Sequence, residues 1–202
     1  DEIVVEGVHK KSLTAIRRKD GVETWSIPLG AESWDLAYHA GVFYATRRTV
    51  LPILNTGGTI YVDAISKQTG EPLWSFKVDA DDGWFLEEIG GIVSDGSYCV
   101  LNTNRRLIGL DAVTGKELWT LNPDKKESFL KSKPILLDGS VFAIQAHKNK
   151  TSILQFLNPA TGVERARLEA QDEVIPPARV VGQSLFMCFR HGDMIALPLT
   201  EP

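Results

Sequence analysis

Short runs of apolar and β-branched residues alternate with glycine-containing turns along the whole chain. Gly91–Ser94 and Tyr98–Leu101, for example, stand on either side of Asp95-Gly96. An Asp-Gly pair between two such runs indicates a β-hairpin, because both residues tolerate a positive φ. Three further turns divide pairs of apolar runs in the same way: Ala40-Gly41, Asp138-Gly139 and Gly182-Gln183. The pattern predicts many short antiparallel strands.

Sustained helical periodicity is missing from this pattern. The apolar segment 50–57 contains Pro52, and the segment 85–89 has room for no more than a short turn. Neither is long enough for an amphipathic helix, which is marginal in water below about 12 residues. The sequence therefore predicts an all-β fold.

Four glycines recur at spacings of 49, 45 and 47 residues: Gly21, Gly70, Gly115 and Gly162. The segments Ala64–Trp74 and Gly109–Trp119 both end in Thr-Gly-x-x-x-Trp. The copy Ala15–Trp25 has Asp20 at the threonine position, and the copy Phe156–Ala166 lacks the tryptophan. A period of about 40–50 residues with strand-like flanks is typical of the blades of a β-propeller.

Each repeat is predicted to form one blade of four antiparallel strands, A to D. The first set of turns joins strands A and B, and the Thr-Gly turns join strands C and D. We expect one propeller domain over residues 1–202, with units at 1–30, 31–78, 79–122, 123–170 and 171–202. The first unit offers strands B, C and D near 3–8, 13–18 and 22–28, and the last offers A, B and C near 178–181, 185–189 and 194–199. This corresponds to about four to five blades.

These repeats resemble the pyrroloquinoline quinone (PQQ) repeat of quinoprotein-like β-propellers. The family pattern is roughly Ala-x-Asp-x-x-Thr-Gly-x-x-x-Trp. Gly109–Trp119 fits this pattern apart from its leading glycine, and Ala64–Trp74 fits apart from Ser66 at the aspartate position. The resemblance covers nearly the whole chain.

The resemblance implies a structural role for the repeat residues. In the family the tryptophan packs flat between neighbouring blades and hydrogen-bonds across the interface, which suits a side chain with a large apolar area and one N–H. We therefore expect packing between blades rather than stacking on a cofactor. The residues expected in these structural positions are Trp25, Trp74, Trp119, Gly21, Gly70, Gly115 and Gly162. Asp111 is expected to hydrogen-bond within its turn, and Ala166 predicts a weaker fourth interface.

The strand count leaves the ring open. Propellers of this family usually have six to eight blades, and pairing the two terminal units into one blade leaves two surplus strands. The chain is expected either to be part of a longer propeller or to be completed by another chain, including a second copy of itself. We favour the first alternative, because the chain begins without Met and ends inside a repeat.

Composition excludes several classes of protein. With 43% hydrophobic and 24% charged residues, the chain has the proportions of a globular protein. The net charge of −4 argues against nucleic acid as a partner. The sequence contains no run of about 18 apolar residues, so it predicts no membrane-spanning helix. Two cysteines are too few for a disulfide scaffold, and we expect Cys99 and Cys188 to be unpaired core residues on B strands.

No catalytic residue and no metal site is predicted. PQQ dehydrogenases of the family need a calcium ion held by Glu and Asn, a catalytic Asp and often adjacent cysteines, and nothing in the sequence matches that set. Four acids are interpreted as isolated: Asp35, Asp63, Asp111 and Asp193. The chain has no Gly-x-Ser-x-Gly elbow and no metal-ligand spacing. The acidic segment 79–83 is interpreted as a solvated loop rather than a calcium site.

Charge is distributed unevenly between the predicted loops. The B–C loops are basic and contain Arg47, Arg48, Arg105, Arg106, His147, Lys148, Arg190 and His191, whereas the D–A loops are mostly acidic. In an antiparallel blade these two sets of loops share one face. Neighbouring loops either pair their charges or present a basic arc to carboxylates of a partner. Three aromatics near these loops would be interface anchors or plugs between blades: Trp34, Trp84 and Phe85.

The leading functional hypothesis is a non-enzymatic propeller scaffold that binds protein partners. The resemblance suggests periplasmic or secreted proteins that assist the assembly of outer-membrane proteins. One alternative is a fragment or relative of a PQQ-dependent dehydrogenase, which would bind PQQ with calcium. Another is a sensor or carbohydrate-binding propeller. A propeller fold hosts many functions, so the fold alone does not decide between them.

Overall fold

The computed structural model describes residues 2–7, 12–28, 32–49, 59–78, 87–122, 127–129, 133–137, 139–147 and 151–198. At residues 2–7, 32–34, 127–129, 146–147 and 176–177 the description covers the backbone alone. The described residues form five antiparallel sheets, in agreement with the predicted all-β class. We number these sheets as blades 1 to 5 in chain order.

The three middle blades have the predicted strand order. Blade 2 consists of β4 (Glu32–His39), β5 (Val42–Arg48), β6 (Ile60–Ser66) and β7 (Pro72–Val78). Blade 3 consists of β8 (Ile89–Ser94), β9 (Tyr98–Thr103), β10 (Leu107–Asp111) and β11 (Glu117–Leu121). Blade 4 consists of β12 (Glu127–Phe129), β13 (Ile135–Leu137), β14 (Ser140–His147), β15 (Ser152–Leu157) and β16 (Glu164–Ala170), and its strand A is divided, because β12 and β13 both pair with β14.

The two terminal blades are three-stranded within the described residues. Blade 1 contains the strands that correspond to B, C and D: β1 (Glu2–Gly7), β2 (Ser12–Arg17) and β3 (Glu23–Pro28). Blade 5 contains the strands that correspond to A, B and C: β17 (Val174–Val181), β18 (Ser184–Phe189) and β19 (Met194–Pro198). The observed bounds lie within a few residues of the predicted ones, β17 excepted, which begins four residues earlier.

Alternation along each strand sends apolar side chains into two different cores. On β5, Phe43 packs with Leu13 of blade 1, whereas Tyr44 packs with Leu101 and other residues of blade 3. Further clusters fill the interfaces between blades 3 and 4 and between blades 4 and 5. Both faces of the middle blades are thus buried, which is how a stack of small sheets obtains a continuous core. No hydrophobic cluster of the described residues joins blade 5 to blade 1.

The prediction for the cysteines is half right. Both are free, and Cys99 is buried against blade 2, where burial raises the pKa of its thiol. Cys188 was expected in the core but is exposed. Alternation on β18 places Leu185 and Met187 against blade 4, so Cys188 lies on the opposite face, which no described blade covers.

Candidate functional site

Three tryptophans join consecutive blades through the same hydrogen bond. The indole N–H of each donates to a backbone carbonyl in the C–D turn of the next blade: Trp25 to Lys67 at 2.8 Å, Trp74 to Ala112 at 3.1 Å and Trp119 to Pro159 at 2.6 Å. The Ala112 carbonyl also accepts from the Tyr44 hydroxyl at 3.4 Å, and burial raises the pKa of that tyrosine. We call each pair of a tryptophan indole and its accepting turn carbonyl a blade junction.

A glycine stands directly under each indole. A Cβ built on Gly70 would lie 2.8 Å from Cδ2 of Trp25, and Cβ atoms on Gly115 and Gly162 would lie 2.5 and 2.7 Å from the indoles of Trp74 and Trp119. All three glycines have φ between 69° and 74°, in the left-handed region. Glycine is therefore required at these positions for two reasons: the turn needs a positive φ, and the indole ring leaves no room for a Cβ.

The fourth repeat exchanges a large and a small residue across two strands. Ala15, Ala64 and Gly109 lie opposite the three tryptophans in the C–D register. In blade 4 the register pairs Phe156 with Ala166. Phe156 packs on the core between blades 4 and 5, with its ring centroid 5.1 Å from that of Phe142. This interface therefore has an aromatic side chain but no indole hydrogen bond from position 166.

Asp111 closes the C–D turn of blade 3. Its Oδ1 accepts from the backbone N–H of Val113 at 3.0 Å, from that of Thr114 at 2.7 Å and from the Thr114 hydroxyl at 2.9 Å. The bonds from Thr114 hold the pKa of this carboxyl below its usual value. The repeat aspartate thus acts on the turn that carries the Ala112 acceptor.

We call the face that carries the B–C and D–A loops the loop face. On this face, the B–C loop of blade 3 forms an ion pair with the segment that precedes the same blade. Arg106 donates from Nε to Oε1 of Glu87 at 3.0 Å and from Nη2 to Oε2. The Thr103 hydroxyl donates to the same carboxylate at 2.5 Å. The Arg106 charge is therefore compensated within its own blade.

Blade 5 repeats this arrangement with more exposed groups. Arg190 donates from Nη1 to Oε2 of Glu173 at 2.5 Å, and Nε2 of His191 lies 3.6 Å from Oδ1 of Asp172. The side chain of Arg190 is 56% exposed and that of His191 is 79% exposed. Pairing between B–C and D–A loops, one of the two interpretations of the sequence, is present in both blades.

The two basic residues at the end of β5 lie on opposite faces of blade 2. Nε of Arg47 donates to Oδ2 of Asp63 at 2.5 Å, and Cζ of the same arginine lies 3.9 Å from the ring centroid of Tyr61. Ser75 donates to the same carboxylate. Asp63 is therefore not the isolated acid that we expected. Arg48 is 6% exposed, and its Nε has no partner among the described residues, so it contributes little to the surface.

The other predicted binding residues are described in part or not at all. Arg105 is half-buried, and its side chain forms no ion pair with a described residue. Trp34 and His147 lie on β4 and β14, but their side chains are outside the described residues. Trp84, Phe85 and Lys148 lie wholly outside them, as does the acidic segment 79–83. Whether the three aromatics are anchors or plugs stays a prediction.

One polar cluster joins three blades, and it shows that the interpretation of Asp35 as an isolated acid was wrong. Oδ2 of Asp35, on the first strand of blade 2, accepts the backbone N–H of Ile92 in blade 3 at 2.8 Å. The same oxygen lies 3.0 Å from Nζ of Lys133, which precedes β13 in blade 4 and also donates to the Leu36 carbonyl. Gly91 lies on β8, and a Cβ built on it would lie 2.7 Å from Cα of Lys133. The close approach of these two backbone segments therefore requires glycine at position 91.

Within the described ranges, no group of three or more His, Cys, Asp and Glu side chains is placed to hold a metal ion. In the same ranges, no helix is long and apolar enough to cross a membrane.

Comparison with known protein families identifies the repeats. The family model described as "Outer membrane protein assembly factor BamB" matches residues 58–200, which is more than half of the chain. The chain belongs to this family. It is a PQQ-like β-propeller repeat protein, as the repeat pattern implied. No curated protein sequence matches the chain.

Solved structures give the same fold at low sequence identity. BamB from Moraxella catarrhalis superimposes with a TM-score of 0.70 at 14% identity, over 98% of this chain and 55% of that one. Sqt1 from Saccharomyces cerevisiae superimposes with a TM-score of 0.70 at 13% identity, over 99% of this chain and 56% of that one. The computationally designed Ika8 protein has a TM-score of 0.69 at 12% identity, over 98% and 55%. The chain thus spans about half the length of each of these three propellers.

Proposed function

We propose that this protein is a non-enzymatic propeller scaffold that binds protein partners during the assembly of outer-membrane proteins, in the periplasm. The observation that carries this proposal is the match of residues 58–200 to the BamB family model, whose description names that assembly role. The loop face would be the binding surface, because it carries the exposed side chains of Arg190 and His191.

Charge on the loop face supports a polar rather than an apolar contact. Arg190 and His191 are largely exposed although their acidic neighbours lie close, so each can exchange part of its pairing for a carboxylate of a partner. Rim charges of this kind act mainly on the rate and specificity of association. Arg106 is excluded as a probe, because its side chain is only 14% exposed and its bonds to Glu87 are therefore largely buried, whereas the side chain of Arg190 is 56% exposed.

The test is complementation in the source organism. Deletion of the gene is expected to lower the folded fraction of outer-membrane β-barrel proteins, measured by their heat-dependent mobility in gel electrophoresis. Wild-type protein should restore that fraction. A variant with Arg105→Glu and Arg190→Glu should be present at the wild-type level and should fail to restore it.

The matched control reverses a charge on the opposite face. Lys116 is exposed in the C–D turn of blade 3, so Lys116→Glu should complement fully. An unchanged folded fraction after deletion would contradict the assembly role. Full complementation by the double variant would contradict the loop face as the binding surface and leave the assembly role standing.

A further inference from the structure

Arg48 ends β5 on the face of blade 2 that packs against blade 3. It lies opposite Ile60 in the β5–β6 register, and Ile60 belongs to the hydrophobic cluster between these two blades. Alternation along β5 leads to the same face, because Tyr44 of that cluster lies four residues earlier. The blade junction of Trp74 and Ala112 lies at the C–D turn end of this interface. Arg48 therefore lies at the opposite end, on the loop face.

The guanidinium of Arg48 is buried without a described acceptor for its Nε. The residue is 6% exposed, and its Nε has no hydrogen-bond partner among the residues that the structure describes. In the same part of the chain, no other side-chain nitrogen is both buried and unpartnered. Burial of a charged donor is costly unless an acceptor meets it. Arg48 thus has a donor that no described group uses.

The carboxylate of Glu87 at this end of blade 3 is already engaged. Thr103 follows Leu101 by two residues on β9, so it faces blade 2 as Leu101 does. The Thr103 hydroxyl donates to Glu87, and Arg106 donates to both oxygens of the same carboxylate. The side chains of Glu87 and Arg106 are only 9% and 14% exposed. Glu87 therefore compensates the charge of Arg106 and not that of Arg48.

Blade 5 has an arginine at the equivalent position, but that arginine is paired. Arg190 is the seventh residue from the start of β18, as Arg48 is from the start of β5. Its backbone N–H donates to the Glu173 carbonyl and its side chain to the Glu173 carboxylate, and this side chain is 56% exposed. In blade 2 the β4–β5 register places Glu32 opposite Arg48, which makes Glu32 the internal acceptor to be tested.

We propose that Arg48 is an anion-binding residue and that the loop-face end of the interface between blades 2 and 3 takes a carboxylate. The parallel N–H donors of a guanidinium match the two oxygens of a carboxylate, and burial strengthens such bonds. The carboxylate would approach from the loop face, because Ile60 and Leu101 are 2% and 0% exposed and close the interior side. An acidic side chain of a partner and a small organic acid present the same group. The proposal does not depend on the role in outer-membrane assembly.

Titration of the 202-residue chain with sodium acetate tests this site, with sodium chloride at equal ionic strength as the reference. In a ¹H–¹⁵N spectrum of the arginine Nε–H groups, Arg48→Lys identifies the Arg48 signal by its loss. That signal should shift saturably with acetate and stay in place in chloride. Arg47 is the matched control, because it is the neighbouring residue on the opposite face and its Nε–H already donates to Asp63. Its signal should show no saturable shift.

The stability of Arg48→Met tests the same claim without an assigned spectrum. Replacement of a buried, uncompensated cation by an apolar side chain should raise the unfolding midpoint in chloride. Acetate should raise the midpoint of wild type more than that of Arg48→Met, because only wild type binds it. Arg47→Met breaks the pair with Asp63 and should lower the midpoint equally in both salts.

Two results would overturn the proposal. One is an Arg48 signal that acetate moves no further than the Arg47 signal. The other is a lower midpoint of Arg48→Met than of wild type in chloride, which would mean that Arg48 has an acceptor within the chain. Non-additive effects of Arg48→Met and Glu32→Gln would then identify Glu32 as that acceptor.

A peptide of four aspartates distinguishes the two sources of the carboxylate. Half-saturation of the Arg48 shift at a lower carboxylate concentration with this peptide than with acetate would support an acidic segment of a partner as the ligand. Half-saturation at the same or a higher concentration would support a small organic acid. In either case the shift should be absent in Arg48→Lys.

Discussion

Phe156 faces Ala166 across strands β15 and β16, which reverses the order of size found in the three preceding blades. There a small residue on strand C faces a tryptophan on strand D, as Ala64 faces Trp74. The interface between blades 4 and 5 thus keeps an aromatic group but moves it to the neighbouring strand, where it packs on Phe142. Apolar burial is retained there, and the indole hydrogen bond is not.

Exchange of the two residues should reveal their coupling. Phe156→Ala removes an aromatic group from this core and should cost about 3 kcal/mol. Combined with Ala166→Trp, it recreates the Ala–Trp pair of blades 1 and 2, so the double variant should be more stable than the sum of the single effects predicts, by about 1 kcal/mol. Urea unfolding of the four proteins measures this coupling. Strictly additive effects would show that the two positions do not share one space.

Asp35 should matter more than the lysine with which it pairs. Asp35→Ala leaves the buried N–H of Ile92 without its acceptor and should cost about 1–3 kcal/mol. Lys133→Met removes a partly exposed ion pair and should cost at most about 1 kcal/mol. Chemical denaturation of both variants gives the comparison. Should Lys133→Met prove the more damaging, the ion pair rather than the carboxylate–amide bond would hold the three blades together.

The two cysteines should differ sharply in reactivity. Burial and a raised pKa keep Cys99 from forming a thiolate, whereas Cys188 is exposed. A disulfide reagent added to the native 202-residue chain should therefore label one thiol rapidly, and the second only on unfolding. Cys188→Ser should abolish the rapid phase. Rapid labelling that persists in this variant would place Cys99 at the surface and contradict the packing of blades 2 and 3.

Acid should weaken the turn that Asp111 closes. Its pKa is lower in the folded chain than in the unfolded one, so the contribution to stability is complete above the unfolded value, about 3.9. That contribution is lost as the pH falls through the folded value. Thermal unfolding between about pH 6 and pH 2 should show a smaller acid-induced loss for Asp111→Asn than for wild type. Parallel pH profiles would mean that the turn does not depend on the charged carboxylate.

The repeats made most of the fold predictable, because spacing and turn chemistry are local properties of the sequence. Thr114-Gly115 and Asp95-Gly96 each specify a turn regardless of what packs on it, and the strands between them follow by length. The exchange of Phe156 and Ala166 was also visible in the aligned repeats, where the large and small positions change places, but it acquires meaning only with the register that sets them opposite each other.

The loop face and the Asp35 cluster show where prediction from sequence ends. Composition indicated basic B–C loops, but only the strand ends determine that Arg106 meets Glu87 and that Arg48 turns inward. Lys133 lies 98 residues from Asp35, and no local pattern connects them. Apart from the contacts of the repeat tryptophans, contacts between blades depend on how the sheets stack, which the repeat pattern does not encode residue by residue.

Hydrogen exchange of the indole N–H groups tests the central claim most directly, namely that each blade is fastened to the next through a tryptophan and a turn carbonyl. In ¹⁵N-tryptophan-labelled protein, the indole signals of Trp25, Trp74 and Trp119 should exchange slowly, because each N–H donates to a backbone carbonyl. Single Trp→Phe variants assign them. Three slowly exchanging signals, each lost in one variant, are the predicted result. Exchange of these three at the rate of free indole would contradict the account.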